Sequence, residues 1–238
     1  MGAVDTAVVL PGLDGTGLLL DDFVSALETF CAVRLVRYPA SGPMSYPELA
    51  AFVRARLPAG DHVVIGESFA GPLALDLALE PPPGLKGVVL GASFARLDLP
   101  LKRTLAALIG RIPVQHVPTR LLTPLLLGRW STPSRRHSLA QVLSQVPPDV
   151  LAMRAKAALG VDLLRRGGTI GLPVLYLRAS SDRLIPASAA GHIAALAPTM
   201  TVQDIAAPHF LFQVESGMCA EAVRRFCRAL AGPMGWKK

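Results

Sequence analysis

The chain has 238 residues, 51% of them apolar but only 5% aromatic, and carries a formal net charge of +7. That length can bury one sizeable core, so it reads as one domain with a large insertion rather than two independent domains. No apolar run approaches the ~20 residues that span a bilayer, no basic-then-apolar leader opens the chain, and the odd set Cys31, Cys219 and Cys227 lacks metal-ligand spacing; a cytoplasmic protein with reduced thiols, no transmembrane segment, no metal and no cofactor is expected.

Thr6 to Leu10 (TAVVL) is a continuous apolar run ending at Pro11-Gly12, the pattern of a parallel strand covered on both faces. The glycine-rich loop LPGLDGTG follows, then a helix over Leu18 to Phe30, a strand over Val33 to Arg37 and a helix over Tyr46 to Leu57. Asp61 to Leu79 (DHVVIGESFAGPLALDLAL) predicts a buried strand from His62 to Ile65, a tight turn with Ser68 at its tip, and an apolar helix from near Phe69. Gly87 to Ala92 is a fourth strand, and the alternation of strand and helix points to a doubly wound parallel sheet.

After Phe94 the alternation stops. From about Arg96 to Gly168 only helices are predicted, broken at Pro113, Pro118, Pro124, Pro133 and Pro147-Pro148, with Leu101, Leu105, Leu108 and Ile112 on one face of the first. The sheet resumes at Pro173 to Leu177, followed by a helix over Ala187 to Leu196 and a strand over Thr199 to Gln203. A last helix covers Glu215 to Leu230, where Cys219 and Cys227 share an apolar face with Val223, Phe226 and Leu230; the polar tail from Gly232 to Lys238 is expected to fray. The fold class is therefore α/β, a parallel sheet flanked by helices, with core segments 1–95 and 169–238 and a helical cap at 96–168 inserted between two strands.

A serine on a sharp strand-to-helix turn takes up a strained backbone, and the residues two positions to either side must be small; Gly66 and Ala70 meet that demand. Gly71 is expected to let the helix lie close to its strand, and the Phe69 amide, at the helix N-terminus, to face whatever carbonyl Ser68 attacks. A serine nucleophile also needs a base and an acid that orients it. Asp182 in LRASSDRLIP and His209 in AAPHFLFQ both follow strands, at the carboxyl edge of the sheet where parallel-sheet ligands bind. His62 lies at the wrong end of its strand, His116 and His137 in the insertion and His192 within a helix; Asp98, after the fourth strand, is the rival acid, and Asp182 has the alternative role of capping the helix near Pro186. The glycines of PGLDGTG let the Leu13 amide converge with that of Phe69, while Asp14 holds the loop. With no Walker lysine and no G-x-G-x-x-G, a phosphate-binding role is disfavoured.

Together LPGLDGTG, GESFAG, the acid loop and the histidine loop resemble, in order and over nearly the whole chain, the serine hydrolases of the α/β-hydrolase fold. LPGLDGTG with GESFAG is similar to a bacterial and plastid esterase/acyltransferase-like branch, and the small cap is similar to that of carrier-protein methyl ester esterases. The resemblance implies a triad of Ser68, Asp182 and His209, oxyanion amides from Leu13 and Phe69, and substrate contacts at Asp14 and Phe210. The chain departs from the pattern at Pro11, where many members have His before Gly, at Ala70 in the elbow, and in lacking the family's first two strands, so about six strands, all parallel, are expected.

The charge is uneven. Arg96 to Arg166 holds 12 Lys or Arg against three acids, a net of +9, which leaves the rest of the chain at −2. Read as a docking face, this favours an acidic carrier protein, a CoA-linked substrate or an anionic membrane; the alternative is a solvated helical surface. Nucleic acid is disfavoured because aromatics do not interleave with the basic residues. The expected function is hydrolysis of a carboxylic ester or thioester with an apolar acyl group, held by the leucine-rich inner faces of the cap, through an acyl-enzyme at Ser68. Acyl transfer by the same triad and a receptor-like binder with little turnover are the alternatives.

Overall fold

The computed structural model describes residues 4–41, 45–109 and 119–231, and for residues 103, 105, 119 and 120 the backbone only. Six strands, β1 (Thr6–Leu10), β2 (Ala32–Leu35), β3 (His62–Glu67), β4 (Leu85–Gly91), β5 (Val174–Ala179) and β6 (Thr201–Ile205), form one all-parallel sheet in the order β2-β1-β3-β4-β5-β6. This is the expected α/β sheet of six parallel strands. Every residue of central β3 is buried, whereas the edge strands β2 and β6 keep exposed positions, which is why only the central strands read as unbroken apolar runs.

Helices α1 (Asp21–Glu28) and α10 (Ser216–Leu230) cover one face, and α2 (Tyr46–Arg54), α3 (Gly71–Leu79) and α8 (Ser188–Leu196) the other. Side chains alternate between faces along a strand. Val8 and Leu10 accordingly pack with Leu49, Leu73 and Ile193, while Val9 joins Ile65, Phe23 and Val223. Cys219 and Cys227 are free thiols in this second layer, where burial pushes each up to about 12.

The stretch between β4 and β5 carries α4 (Lys102–Ile109), α5 (Thr119–Leu126), α6 (Pro133–Ser144) and α7 (Pro148–Gly160), with no strand among its described residues. Its two ends are joined by an isolated antiparallel bridge, Arg96 to Asp162, and by the bond from Leu163 N to Ala95 O at 3.2 Å. Pro133 and Pro148 open their helices, where a missing N–H costs nothing, but Pro124 lies inside α5 instead of breaking it. The leucine stripe expected on α4 is not its packed face. Leu101 and Leu108 are exposed, and Ala106 and Ile109 pack on Phe94, Leu97 and Leu159, because α7 approaches from that side. The last helix is divided at Glu215, whose backbone is not helical, into α9 (Leu211–Val214) and α10. Pro113, Pro118, Ile112, His116 and the tail from Gly232 lie outside the described residues, as does the Leu105 side chain. Among the described residues no helix is long and apolar enough to cross a membrane.

Candidate active site

β3 delivers Ser68 to the carboxyl edge of the sheet and ends there in a reversal. Ser68 has φ 47° and begins a single turn of 3-10 helix, Ser68–Ala70, that runs into α3. A Cβ on Gly66 would lie 2.8 Å from Ala70 O and 3.1 Å from Ala74 Cβ, the close approach that requires small residues on both sides of the serine. Gly71 has a different role from the one expected of it. A Cβ there would run into Ser93 Oγ, from the segment after β4, rather than into β3. Ser93 Oγ donates to Ser68 O at 2.6 Å, Tyr176 OH donates to Ser93 O at 3.1 Å, and Tyr46 OH donates to Phe69 O at 2.9 Å. Two hydroxyls, of Ser93 and Tyr46, thus hold the strained turn from outside, and that of Tyr176 braces Ser93.

His209 and Asp182 meet Ser68 at this edge. His209 Nε2 lies 2.9 Å from Ser68 Oγ, and His209 Nδ1 lies 2.9 Å from Asp182 Oδ2. With a carboxylate on Nδ1, the ring proton sits there and Nε2 is left to accept from the serine hydroxyl. The second carboxylate oxygen is also used: Asp182 Oδ1 accepts from the amides of Leu184 and Ile185 at 2.8 and 2.9 Å. The helix-capping alternative does not hold: α8 begins at Ser188 behind Ala187 with no side-chain cap, and Asp182 Oδ1 instead closes a turn of its own loop, because both amides it reaches come before the helix. The rival Asp98 bonds Arg96 Nη2 at 2.8 Å and His192 Nε2 at 3.2 Å, with 49% of its side chain exposed. His62 is buried at the far end of β3 against Gly60 O, and His137 lies in α6.

Leu10 pairs with Gly66, so the loop PGLDGTG leaves the sheet beside the elbow. Gly15 N donates to Gly12 O at 3.1 Å, a tight turn with Leu13 and Asp14 at its centre, and Gly15 takes φ 73°. Asp14 Oδ1 accepts from Thr16 N at 2.8 Å and from the Thr16 hydroxyl, which secures the loop as expected. Among the described residues the Leu13 amide has no acceptor within the chain, and the Phe69 amide, at a helix start, has no intrahelical one. Both are available to an oxyanion.

Two residues of this site went unread in the sequence. Glu67, the variable position of G-x-S, is buried, accepts from Gln213 Nε2 at 2.7 Å, and lies 3.5 Å from where a Gly12 Cβ would be. Burial is the main cause that pushes it up to about 7, opposed by the Gln213 bond and the nearby His209 and reinforced by Asp14. Its adjacency to Ser68 was the available signal. Arg154, on α7, is only 1% exposed and bonds three carbonyl oxygens of distant loops, including those of Leu13 and Asp14. Its local sequence resembles any helical surface, so no pattern marked it.

At Phe210, the residue after the histidine, opens a cleft of about 520 Å³ whose apolar wall is Leu18, Leu19, Leu127 and Phe210 and whose polar wall includes Asp21, Asp22, Arg135 and Gln213. The Phe210 amide donates to Leu126 O at 3.1 Å, tying α5 to the histidine loop. The helical segment contributes Leu127 to this wall, but Leu121 and Leu125 face outward, so its leucines are not all turned inward as expected. A smaller cavity of about 250 Å³ lies behind Asp182, lined by Tyr176, Arg178 and Asp204 among others, away from Ser68. Among the described residues no His, Cys, Asp and Glu side chains group in a way that would hold a metal ion.

No family model and no curated protein matches the sequence. Solved structures do match over nearly the whole chain. An enol-lactonase from Burkholderia xenovorans superposes with TM-score 0.83 at 17% identity, covering 95% of this chain and 92% of its own. MenH from S. aureus gives 0.81 at 14% identity over 98% and 96%, and an esterase from Exiguobacterium antarcticum 0.79 at 16% over 96% and 93%. With the all-parallel sheet, these likenesses establish that the chain has the α/β-hydrolase fold.

Proposed function

We propose that this protein of the α/β-hydrolase fold is a serine hydrolase that cleaves a carboxylic ester or thioester with an apolar acyl group through an acyl-enzyme at Ser68. The observation that carries the reading is the continuous relay from Ser68 Oγ to His209 to Asp182, both links 2.9 Å, mounted on a strained elbow. His209 takes the serine proton as Oγ attacks the carbonyl, and Asp182 holds the ring and stabilises the imidazolium that forms. The amides of Leu13 and Phe69 receive the oxyanion, each such donor contributing roughly 10²- to 10³-fold to the rate. His209 then returns the proton to the departing alcohol or thiol, and the same relay activates water to release the acid.

The apolar side of the cleft at Phe210, formed with Leu18, Leu19 and Leu127, takes the apolar group, while its polar side, with Asp21, Asp22 and Arg135, meets the rest of the substrate; Asp14 holds the loop that leads into Leu18. In this reading residues 1–95 and 169–238 are the catalytic core and 96–168 a cap over it. That an enol-lactonase and an esterase share the fold is consistent with ester chemistry here. Arg129, Arg135 and Arg136, which have no carboxylate partner among the described residues, supply the face for an acidic carrier protein or a CoA-linked substrate.

A fluorophosphonate probe tests the reading directly. It is expected to label Ser68 in the wild type and nothing in Ser68→Ala, which folds normally and loses turnover of aryl esters. Asp182→Asn is expected to lose roughly 10⁴-fold in kcat, as removal of the orienting acid does elsewhere. A Ser68→Ala protein within a few-fold of wild-type activity would sink the assignment, and esters of rising acyl length will define the cleft.

A further inference from the structure

The side chain of Arg154 reaches from α7 into the protein and carries a buried cation with no carboxylate within ion-pair distance among the described residues. Its Nη1 donates to Leu13 O at 3.1 Å and Asp14 O at 2.7 Å, and its Nη2 to Pro39 O at 2.9 Å, while the guanidinium lies 5.4 Å from the centre of the Tyr38 ring. Burial disfavours the charge of the guanidinium, and the three carbonyl acceptors, with the nearby Tyr38 and Asp14, only partly offset that cost. The loop is shaped around the group: a Cβ on Gly15 would lie 2.5 Å from Arg154 Nη1 and 2.8 Å from Tyr38 Cδ2. A residue that merely filled space in α7 would not need a charge, a fork of donors or a glycine cut out of the facing loop.

What the fork grips is the centre of the oxyanion turn. Gly15 N to Gly12 O closes the turn, which sets the plane of the Gly12–Leu13 peptide and so the direction of the Leu13 N–H. Leu13 and Asp14 retain freedom in their own carbonyls, and those are the two that Arg154 Nη1 binds. Tyr38 N holds the fourth carbonyl of the turn, Gly15 O, at 2.9 Å, so Arg154 supplies two of its four anchors; without them the Leu13–Asp14 and Asp14–Gly15 peptides can turn, and the Gly15 N to Gly12 O bond that aims the Leu13 N–H loses its support. Pro39 O, on the third contact, anchors the guanidinium to the loop after β2, so the grip is on the core and not only on α7.

We propose that Arg154 is a positioning residue for the oxyanion loop, holding the Leu13 amide in the orientation that receives the oxyanion formed at Ser68. It touches neither substrate nor serine. The inference rests on the reading of Ser68 as nucleophile and adds that α7 is a fixed brace of the site, since it cannot leave without releasing the loop.

The test separates orientation of the loop from integrity of the fold. Arg154→Met and Arg154→Lys are purified, their active fraction is titrated by fluorophosphonate stoichiometry, and kcat and KM for a neutral aryl ester are measured per titrated site. A trifluoromethyl ketone, which Ser68 Oγ adds to across the carbonyl while its proton passes to His209, reports the oxyanion site as a stable adduct. Arg154→Met is expected to lose between about 10- and 100-fold in kcat, less than loss of a whole oxyanion donor, with KM changed less than about threefold. The inhibition constant of the ketone is expected to rise by the same factor as kcat/KM falls, and Arg154→Lys, which keeps one cation but not the fork, to fall between. Unchanged kcat per titrated site in Arg154→Met, or a loss confined to KM or to the titrated fraction, overturns the proposal. If Arg154→Met does not fold, Arg154→Lys decides alone: wild-type ketone affinity there also overturns it. A wild type that neither turns over nor labels at Ser68 would instead overturn the parent reading, and this one with it.

Discussion

Asp182 divides its carboxylate between an imidazole and two backbone amides, so it cannot turn away from His209 without abandoning the bonds that shape its own loop. Glu67 is the opposite case, an acid whose surroundings disfavour its charge. It binds its proton more tightly in the folded protein, at about 7, than at the ordinary 4.5. Between those values the folded state holds the extra proton, so stability from this group is full below 4.5, falls as pH rises across the window, and levels off above 7. Glu67→Gln keeps the shape without the titration. It is expected to gain up to about 3 kcal/mol over wild type at pH 8 and to match it near pH 4, with a flatter stability profile in urea unfolding between. Parallel profiles for the two proteins would show that Glu67 is not the buried acid described.

At the scale of elements, the elbow is held from outside rather than by its own strand and helix. Ser93, after β4, reaches Ser68 O, and the missing side chain of Gly71 makes room for it. Gly71→Ala has good helix propensity but would drive its methyl into Ser93 Oγ, so either α3 moves from β4 or Ser93 leaves the serine carbonyl. The expected result is a loss of about 1–3 kcal/mol, as for an overpacked core, together with a drop in kcat larger than the loss of folded protein explains. Thermal melts with kinetics on the folded fraction check this. Gly71→Ala with wild-type melting and turnover would mean that the helix and β4 have slack there.

At the scale of the molecule, the basic excess of the helical segment is less uniform than its count suggests. Arg165 faces Asp162, Arg166 is paired with Asp76 and Glu80 on α3 and the loop after it, and Arg154 is buried. Arg129 lies over the Trp130 ring, Arg135 donates to Trp130 O and Arg136 to Ser131 Oγ, so none of the three has a carboxylate ion pair among the described residues; of them Arg135 lines the Phe210 cleft, which Asp21 and Asp22 also line. Such attraction is screened beyond ~8 Å at physiological ionic strength and must act near contact. Reversal of Arg135 and Arg136 to Glu is therefore expected to lower kcat/KM for a CoA-linked thioester several-fold at low salt and to spare a small neutral ester. Reversal of Arg166 is expected to weaken the fold, because it breaks two ion pairs between the segment and the core. Equal salt responses for both substrates, with the Arg135 and Arg136 reversal neutral, would reduce this face to a solvated surface.

By itself the sequence determined what depends on local pattern: six strands, because the central ones read as apolar runs and the alternation of strand and helix placed the edge ones; the elbow, because Gly66 and Ala70 flank Ser68; and the place of His209 at the carboxyl edge, because it follows a strand as the other histidines do not. It preferred Asp182 over its rival Asp98 although both follow strands, and the tertiary structure sets Asp182 on His209 and Asp98 on Arg96 and His192. It misjudged the packed face of α4 and the place of Pro124, where neighbouring helices rather than periodicity decide. It could not single out Arg154 among 12 basic residues of the segment, or see the charge state of Glu67. Strand runs and tight turns are constraints between residues close in the chain, which a sequence displays; a buried cation gripping carbonyls more than a hundred residues away, or a carboxyl whose pKa is raised by burial, exists only once distant segments have closed around it.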